Sequence, residues 1–172
     1  MTLTAATRRA TVTGMAIEQR DVAGVSEAAE FVQRFAAAWS KCDPAALAEL
    51  LDEDVVLIQP MMPSTRGRTA SRAAFARLFA LIPDLRATVH RWGAGDDVLY
   101  IEFTLAGTFG GRELSWPAVD RFILRDGLAL SRVSYFDPLP LAFKMLTRPR
   151  GWGRVVRSGF RPSFGGPRSD AA

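Results

Sequence analysis

The residues with the clearest chemical potential lie in the stretch "ELSWPAVDRFILRDG", Glu113 to Gly127. It reads as a β-strand running into a tight turn. Alternate residues of a strand face opposite sides. Trp116, Ala118, Asp120, Phe122 and Leu124 therefore share one face, apolar but for the Asp120 carboxylate. A carboxyl held among apolar groups resists ionisation, because burial disfavours its charged form. Kept neutral, it can hydrogen-bond to a developing oxyanion, or it can act as a general acid or base. Arg132 offers the alternative. A two-residue loop at Asp126-Gly127 sets Asp120 opposite Val133. A three-residue loop from Arg125 to Gly127, with Gly127 left-handed, sets it opposite Arg132. In the second register Asp120 is an ion-pair partner with a lowered pKa and no proton to give. His90, in "ATVHRW", is the only histidine and the natural proton carrier at neutral pH. Strand parity does not say which face it takes.

These residues need elements to hold them. "SEAAEFVQRFAAAW" (Ser26 to Trp39) has helical apolar spacing, with Ser26 as its N-cap. "KCDPAALAELLDED" starts a second helix, capped by Asp43 with Pro44 at the first helical position. "VVLIQP" (Val55 to Pro60) is a short strand. "TASRAAFARLFALIP" is a third helix, with Thr69 or Ser71 as cap. Strands then follow at Leu85–Ala94, Val98–Phe109, the opening stretch, and "LALSRVSYFDP". Short glycine-bearing turns link them, so the sheet is mostly antiparallel. Helices first and a meander after is an α+β pattern.

The 172 residues are 48% hydrophobic, which suits one domain with a sizeable core. One cysteine, Cys42, allows no internal disulfide, and a cytoplasmic setting is the default. No His/Cys cluster has metal-ligand spacing, and "GTFGGRE" lacks the end of a phosphate loop, so no metal and no cofactor is expected. From Leu139 onward seven basic side chains meet a single acid. That net +6 leaves −2 for the rest of a chain whose total is +4. The basic character belongs to the tail, where arginines interleave with Trp152, Phe160 and Phe164. No nucleic-acid motif is present, and no nucleic-acid partner is expected. Weak contact with a membrane surface remains open to such a tail. Residues 1–24 read as a disordered leader, 25–147 as the domain, and 148–172 as a basic, partly disordered tail. Packing is expected to reach about Trp152, and Leu141 to Leu146 to form a short helix over a pocket mouth.

Element order and residues together resemble the nuclear transport factor 2-like superfamily. "EFVQRFAAAWSKCDPAALAELLDEDVVLIQP", "RGRTASRAAF" and "PAVDRFILRDGLALSRVSYFDP" are similar to its SnoaL-like and ketosteroid-isomerase-like branches. The resemblance implies a cone: a curved, mostly antiparallel sheet wrapped around N-terminal helices, with a central apolar pocket. The isomerase base position, just before the Pro that ends the first strand, is here Gln59, and an amide takes no proton at neutral pH. The isomerase oxyanion Tyr is here Phe35, in "VQRF". The second oxyanion donor is retained as Asp120. In limonene-epoxide-hydrolase-like members, an Arg and an Asp fall where Ile101 and Phe103 stand. Their third residue, an Asp, is here Ser134.

The resemblance therefore implies an enzyme of proton-transfer chemistry (isomerase, cyclase or epoxide-opening type) on a hydrophobic polyketide-, steroid- or terpenoid-like substrate. Asp120, His90 and Ser134 are its candidate catalytic residues. Phe35, Gln59, Met61, Phe103, Leu105, Trp116, Arg132 and Phe136 are its candidate substrate contacts. The missing acids leave a second reading, a non-catalytic binding protein using the same pocket. A homodimer is expected, with Tyr100 and Tyr135 on the outer face of the sheet.

Overall fold

The computed structural model of the chain describes residues 24–95 and 98–160. The leader expected over residues 1–24 falls almost wholly outside them, as does the tail beyond Phe160. Helix α1 covers residues 24–40, so Ser26 lies inside the helix and does not cap it. Helix α2 (Pro44–Ala48) is capped as expected, with the Asp43 side chain accepting from Ala45 N at 2.8 Å. It ends early, because the chain enters strand β1 (Leu51–Ile58) four residues before the expected strand. A two-residue strand, β2 (Thr65–Arg66), leads into helix α3 (Arg68–Leu81). That helix is capped by Gly67 at φ 86 and by neither Thr69 nor Ser71. The Ser71 hydroxyl instead donates back to Gly67 O.

The meander follows as β3 (Arg86–Gly95), β4 (Val98–Phe109), β5 (Arg112–Arg125) and β6 (Leu128–Tyr135). Sheet order is β2-β1-β6-β5-β4-β3, antiparallel except where β1 runs parallel to β6. The β4–β5 ladder is unbroken across twelve pairs, so one face of it is a regular apolar row. Phe103, Leu105, Trp116, Ala118 and Phe122 lie on that face and are buried. The opposite face carries half-exposed Tyr100 and Tyr135.

Helices α1 and α3 cover the apolar face. Phe35 meets Phe103, Phe122 and Trp39 edge-on, with ring centroids 5.4, 5.8 and 6.2 Å apart. Trp39 in turn packs on Phe75 and Phe79 of α3. Helix α1 also grips the β5–β6 turn. Gly127 N donates to Glu27 Oε1, and Arg34 Nη1 donates to Gly127 O at 3.1 Å.

The chain closes with α4 (Pro138–Leu146), a 3-10 turn (Pro149–Gly151) and α5 (Trp152–Ser158). Packing therefore extends past Trp152, the limit expected for it, as far as Phe160. Phe160 packs on the core, and Ser158 is buried. Gly151 makes this possible: a Cβ there would lie 2.4 Å from the Phe109 ring.

Candidate functional site

Asp120 sits in the middle of β5 with none of its surface exposed, and Arg132 on β6 is 5% exposed. Neither expected register holds. The turn is a two-residue loop, with Arg125 opposite Leu128 and Asp126 and Gly127 both left-handed at φ 53 and 70. A β-bulge then lets β6 gain one residue at Leu130. Ile123 pairs with Ser131 although Leu124 pairs with Ala129. The bulge sets Ser134, and neither Val133 nor Arg132, opposite Asp120. Arg132 is two residues away on the same face and reaches Asp120 diagonally. Its Nε donates to Asp120 Oδ2 at 2.5 Å. The other side of the guanidinium faces Phe75, with its central carbon 6.0 Å from the ring centroid.

The pair is thus real, but it does not lower the carboxyl. Burial pushes Asp120 above the ordinary carboxylate range; the Arg132 charge and the Ser134 hydroxyl pull the other way without reversing it. The expectation of a lowered pKa for a paired Asp120 is corrected accordingly. Desolvation of a fully buried carboxylate outweighs one guanidinium that is itself desolvated. Only Oδ2 is engaged. Asp120 Oδ1 and Ser134 Oγ are both buried, and neither completes a hydrogen bond of good geometry.

Asp120, Arg132 and Ser134 line one pocket, which holds about 620 Å³ of atom-free space counting its open side. Apart from them its polar lining is chiefly Gln59, whose Nε2 lies 2.9 Å from Met62 Sδ. Seven of the eight expected contacts line it: Gln59, Met61, Phe103, Leu105, Trp116, Arg132 and Phe136. Met61 does so at φ 64, in the left-handed region that a side chain adopts at a cost of roughly 1 kcal/mol. Trp39 and Trp116 add their indoles, and both Nε1 atoms are buried without a partner.

Two expected residues are elsewhere. Phe35 is 2% exposed in the aromatic core between α1 and the sheet and does not line the pocket. Its ring is consumed by three aromatic neighbours, as a residue on the inner face of α1 must be. His90 is the extra residue of a β-bulge on β3, since Val89 pairs with Phe103 while Arg91 pairs with Glu102. A bulge breaks strand alternation, which is why parity could not place it. It is exposed, with Nε2 2.8 Å from Thr104 Oγ1 on the outer face, and it is no part of the pocket.

Sequence reasoning did not find Trp39, Leu78 and Ile82, which the helical pattern marks only as core. Leu141 and Met145 of α4 and Phe160 also line the pocket. The expected helix at Leu141 to Leu146 is therefore a pocket wall. Among the described residues no group of His, Cys, Asp and Glu side chains is placed to hold a metal ion, and no helix is long and apolar enough to cross a membrane.

Comparison with known proteins agrees with this geometry. No curated protein matches the chain in sequence. Among solved structures, a protein with a ketosteroid isomerase-like fold from Catenulispora acidiphila, in complex with trimethylamine, is 24% identical. It covers 72% of this chain and 96% of its own, with a TM-score of 0.63. A putative SnoaL-like polyketide cyclase from Jannaschia sp. CCS1 is 20% identical over 72% of this chain and 94% of its own, also at 0.63. An LEH-like epoxide hydrolase from M. tuberculosis is 23% identical over 77% of this chain and 96% of its own, at 0.60. These likenesses carry the fold. The SnoaL-like domain family itself matches residues 32–131, from the middle of α1 to the bulged start of β6. The chain belongs to the SnoaL-like domain family of the nuclear transport factor 2-like superfamily.

Proposed function

We propose that the pocket is the active site of an enzyme that moves a proton on a hydrophobic, oxygen-bearing substrate, with Asp120 as acid and base. One observation carries this reading. Four of the five buried polar side-chain atoms without a partner, among the described residues, belong to pocket residues. Three of them are donors: Ser134 Oγ, Trp39 Nε1 and Trp116 Nε1. The fourth is the acceptor Asp120 Oδ1. Buried polar atoms are rarely left unpaired. Even with the Ser134 hydroxyl set opposite the Asp120 carboxyl and drawing on it, the two indole N–H groups remain as donors in the same pocket, which suits a ligand with an apolar body and a carbonyl or similar oxygen.

The chemistry follows from the placement. Oδ1 takes the proton of a C–H bond next to a substrate carbonyl. The electron pair of that bond becomes a carbon–carbon double bond, and the carbonyl π pair moves onto oxygen. The resulting enolate oxygen accepts from the unpaired donors. The proton then returns from Oδ1 to another carbon, as isomerisation requires, or the enolate carbon attacks a second carbonyl, whose π pair moves onto its oxygen and takes the proton back from Oδ1, as ring closure requires. A carboxylate with raised proton affinity is a stronger base than an exposed one. Arg132, bonded to Oδ2, is a positioning residue that leaves Oδ1 as the reacting oxygen. The names of the cyclase and hydrolase among the structural neighbours are consistent with this class and do not select a reaction.

A binding protein is the second reading, favoured by the amide of Gln59 where isomerases hold their base. Deuterium exchange separates the two. Hydrophobic ketones with an acidic C–H beside the carbonyl are incubated with the protein in D2O and followed by mass spectrometry. Exchange that is lost in a folded Asp120→Asn variant, with ligand affinity kept, is the expected result. Ketones that bind without exchange establish the binding protein. Exchange that survives Asp120→Asn removes Asp120 from the chemistry.

A further inference from the structure

Helix α4 is apolar on two sides. Leu141 and Met145 turn inward and line the pocket. Leu139, Phe143 and Leu146 follow at helical spacing on the other side and are 71%, 68% and 66% exposed. Helix α5 meets the end of α4 at Trp152. Trp152 Nε1 donates to Met145 O at 3.2 Å, which fixes the half-exposed indole at the C-terminal end of α4. Val156, one turn further along α5, is 83% exposed. Five large apolar side chains on two adjoining helices exceed the scattered exposure of an ordinary surface.

The segment itself carries charge of one sign, although Asp137, which caps α4 through Leu139 N, and Asp84, whose carboxyl feels the Arg154 charge, lie beside it. From Pro138 to Phe160 the chain has no Asp or Glu. Lys144, Arg150, Arg154 and Arg157 are exposed there, and Arg148 is half-buried against the β4–β5 turn. Apolar side chains flanked by cations are the two signals that together hold a helix at an anionic bilayer surface. A second copy of the chain fits worse, because a two-fold contact sets these cations against themselves.

We infer that α4 and α5 dock on an anionic lipid bilayer, with Leu139, Phe143, Leu146, Trp152 and Val156 entering the interface and the basic side chains over the headgroups. Because α4 is also a pocket wall, docking sets the pocket beside the membrane, where an apolar ligand is concentrated. This holds whether the pocket catalyses or only binds.

The test is co-sedimentation of the full chain with phosphatidylcholine vesicles, with and without phosphatidylserine at about one third of the lipid. Binding to the anionic vesicles alone, falling steeply with added salt, is expected. Arg150→Gln with Arg157→Gln weakens it roughly 30-fold, the product of two headgroup contacts. Phe143→Ser with Val156→Ser weakens it at least as much, and leaves the ketone affinity of the pocket unchanged, since neither residue lines it. Failure to bind anionic vesicles, or binding indifferent to both double variants, overturns the inference. So does a dimer in light scattering that dissociates on Phe143→Ser with Val156→Ser, because the occupant is then a second copy.

Discussion

Removing Arg132 tests the physical account of the buried pair. In Arg132→Met the Asp120 carboxyl keeps its burial and loses its countercharge. It then escapes the low-dielectric interior by holding a proton. At pH 7 the cost of holding it is set by the distance from the ordinary value of 3.8. Each pH unit is about 1.4 kcal/mol, so the electrostatic loss is at most about 4.4 kcal/mol at pH 7 and about 1.6 kcal/mol at pH 5. The sign follows from the raised folded pKa. A raised folded pKa contributes stability that is fully present below about pH 3.8 and is lost as pH rises through it. Parent and variant both have one, the variant's higher because Arg132 is gone, so the variant's deficit grows with pH above the parent's folded value and is constant below it. Asp120→Asn has no such escape. It leaves the Arg132 guanidinium charged and buried, at a cost of about 3–5 kcal/mol at both pH values. Replacing both, Asp120→Leu with Arg132→Met, removes both buried charges and brings stability to within about 1–2 kcal/mol of the parent or above it. Urea unfolding of the four proteins at pH 5 and 7, at constant ionic strength, provides the measurement. A deficit of Arg132→Met that shrinks as pH rises, or single variants each losing under about 1 kcal/mol, refutes the reasoning.

Two further perturbations concern the frame. Gly151→Ala drives a methyl into the Phe109 ring, which is fully buried, and is expected to cost about 1–3 kcal/mol and to loosen the α5 segment against limited proteolysis; an unchanged midpoint shows that the closing segment is not seated on Phe109. Asp52 accepts from Asp54 N and from the Arg125 guanidinium, which hold its carboxyl below the ordinary range, so its contribution is present above about pH 3.8 and disappears as pH falls through the lowered folded value. Asp52→Asn should lower the thermal midpoint at pH 7 and lower it by less as pH falls below 3.8, and an equal drop at pH 7 and pH 2.5 assigns the effect to something other than charge.

Much of the frame was legible because local chemistry decides it. Gly110-Gly111 and Asp126-Gly127 can adopt left-handed turns, and all four do. Between them, strict alternation around Trp116, Asp120 and Phe122 places β5 and its inner face. The start of β1 was hidden for the opposite reason. "LDED" at Leu51–Asp54 has acids where a strand pattern wants apolar residues. Asp52 is buried there because Arg125, 73 residues on, meets it. The N-terminus of α3 was missed because backbone conformation at Gly67, and no side chain, supplies its cap.

The residue types of the pocket were determined by sequence alone. It supplied an apolar row carrying Asp120, an amide at Gln59 and a hydroxyl at Ser134, and with them the family. What the carboxylate does was decided by tertiary structure. One extra residue at Leu130 moves β6 by one register, turns Ser134 to face Asp120 and leaves Arg132 on the diagonal. An identical bulge logic at His90 removes the only histidine from the site. Alternation has a period of two, so a single inserted residue exchanges the faces of everything beyond it. No local propensity at Leu130 or His90 announces that insertion. It is selected by which side chains the whole sheet can bury together, a sum over contacts distant in sequence.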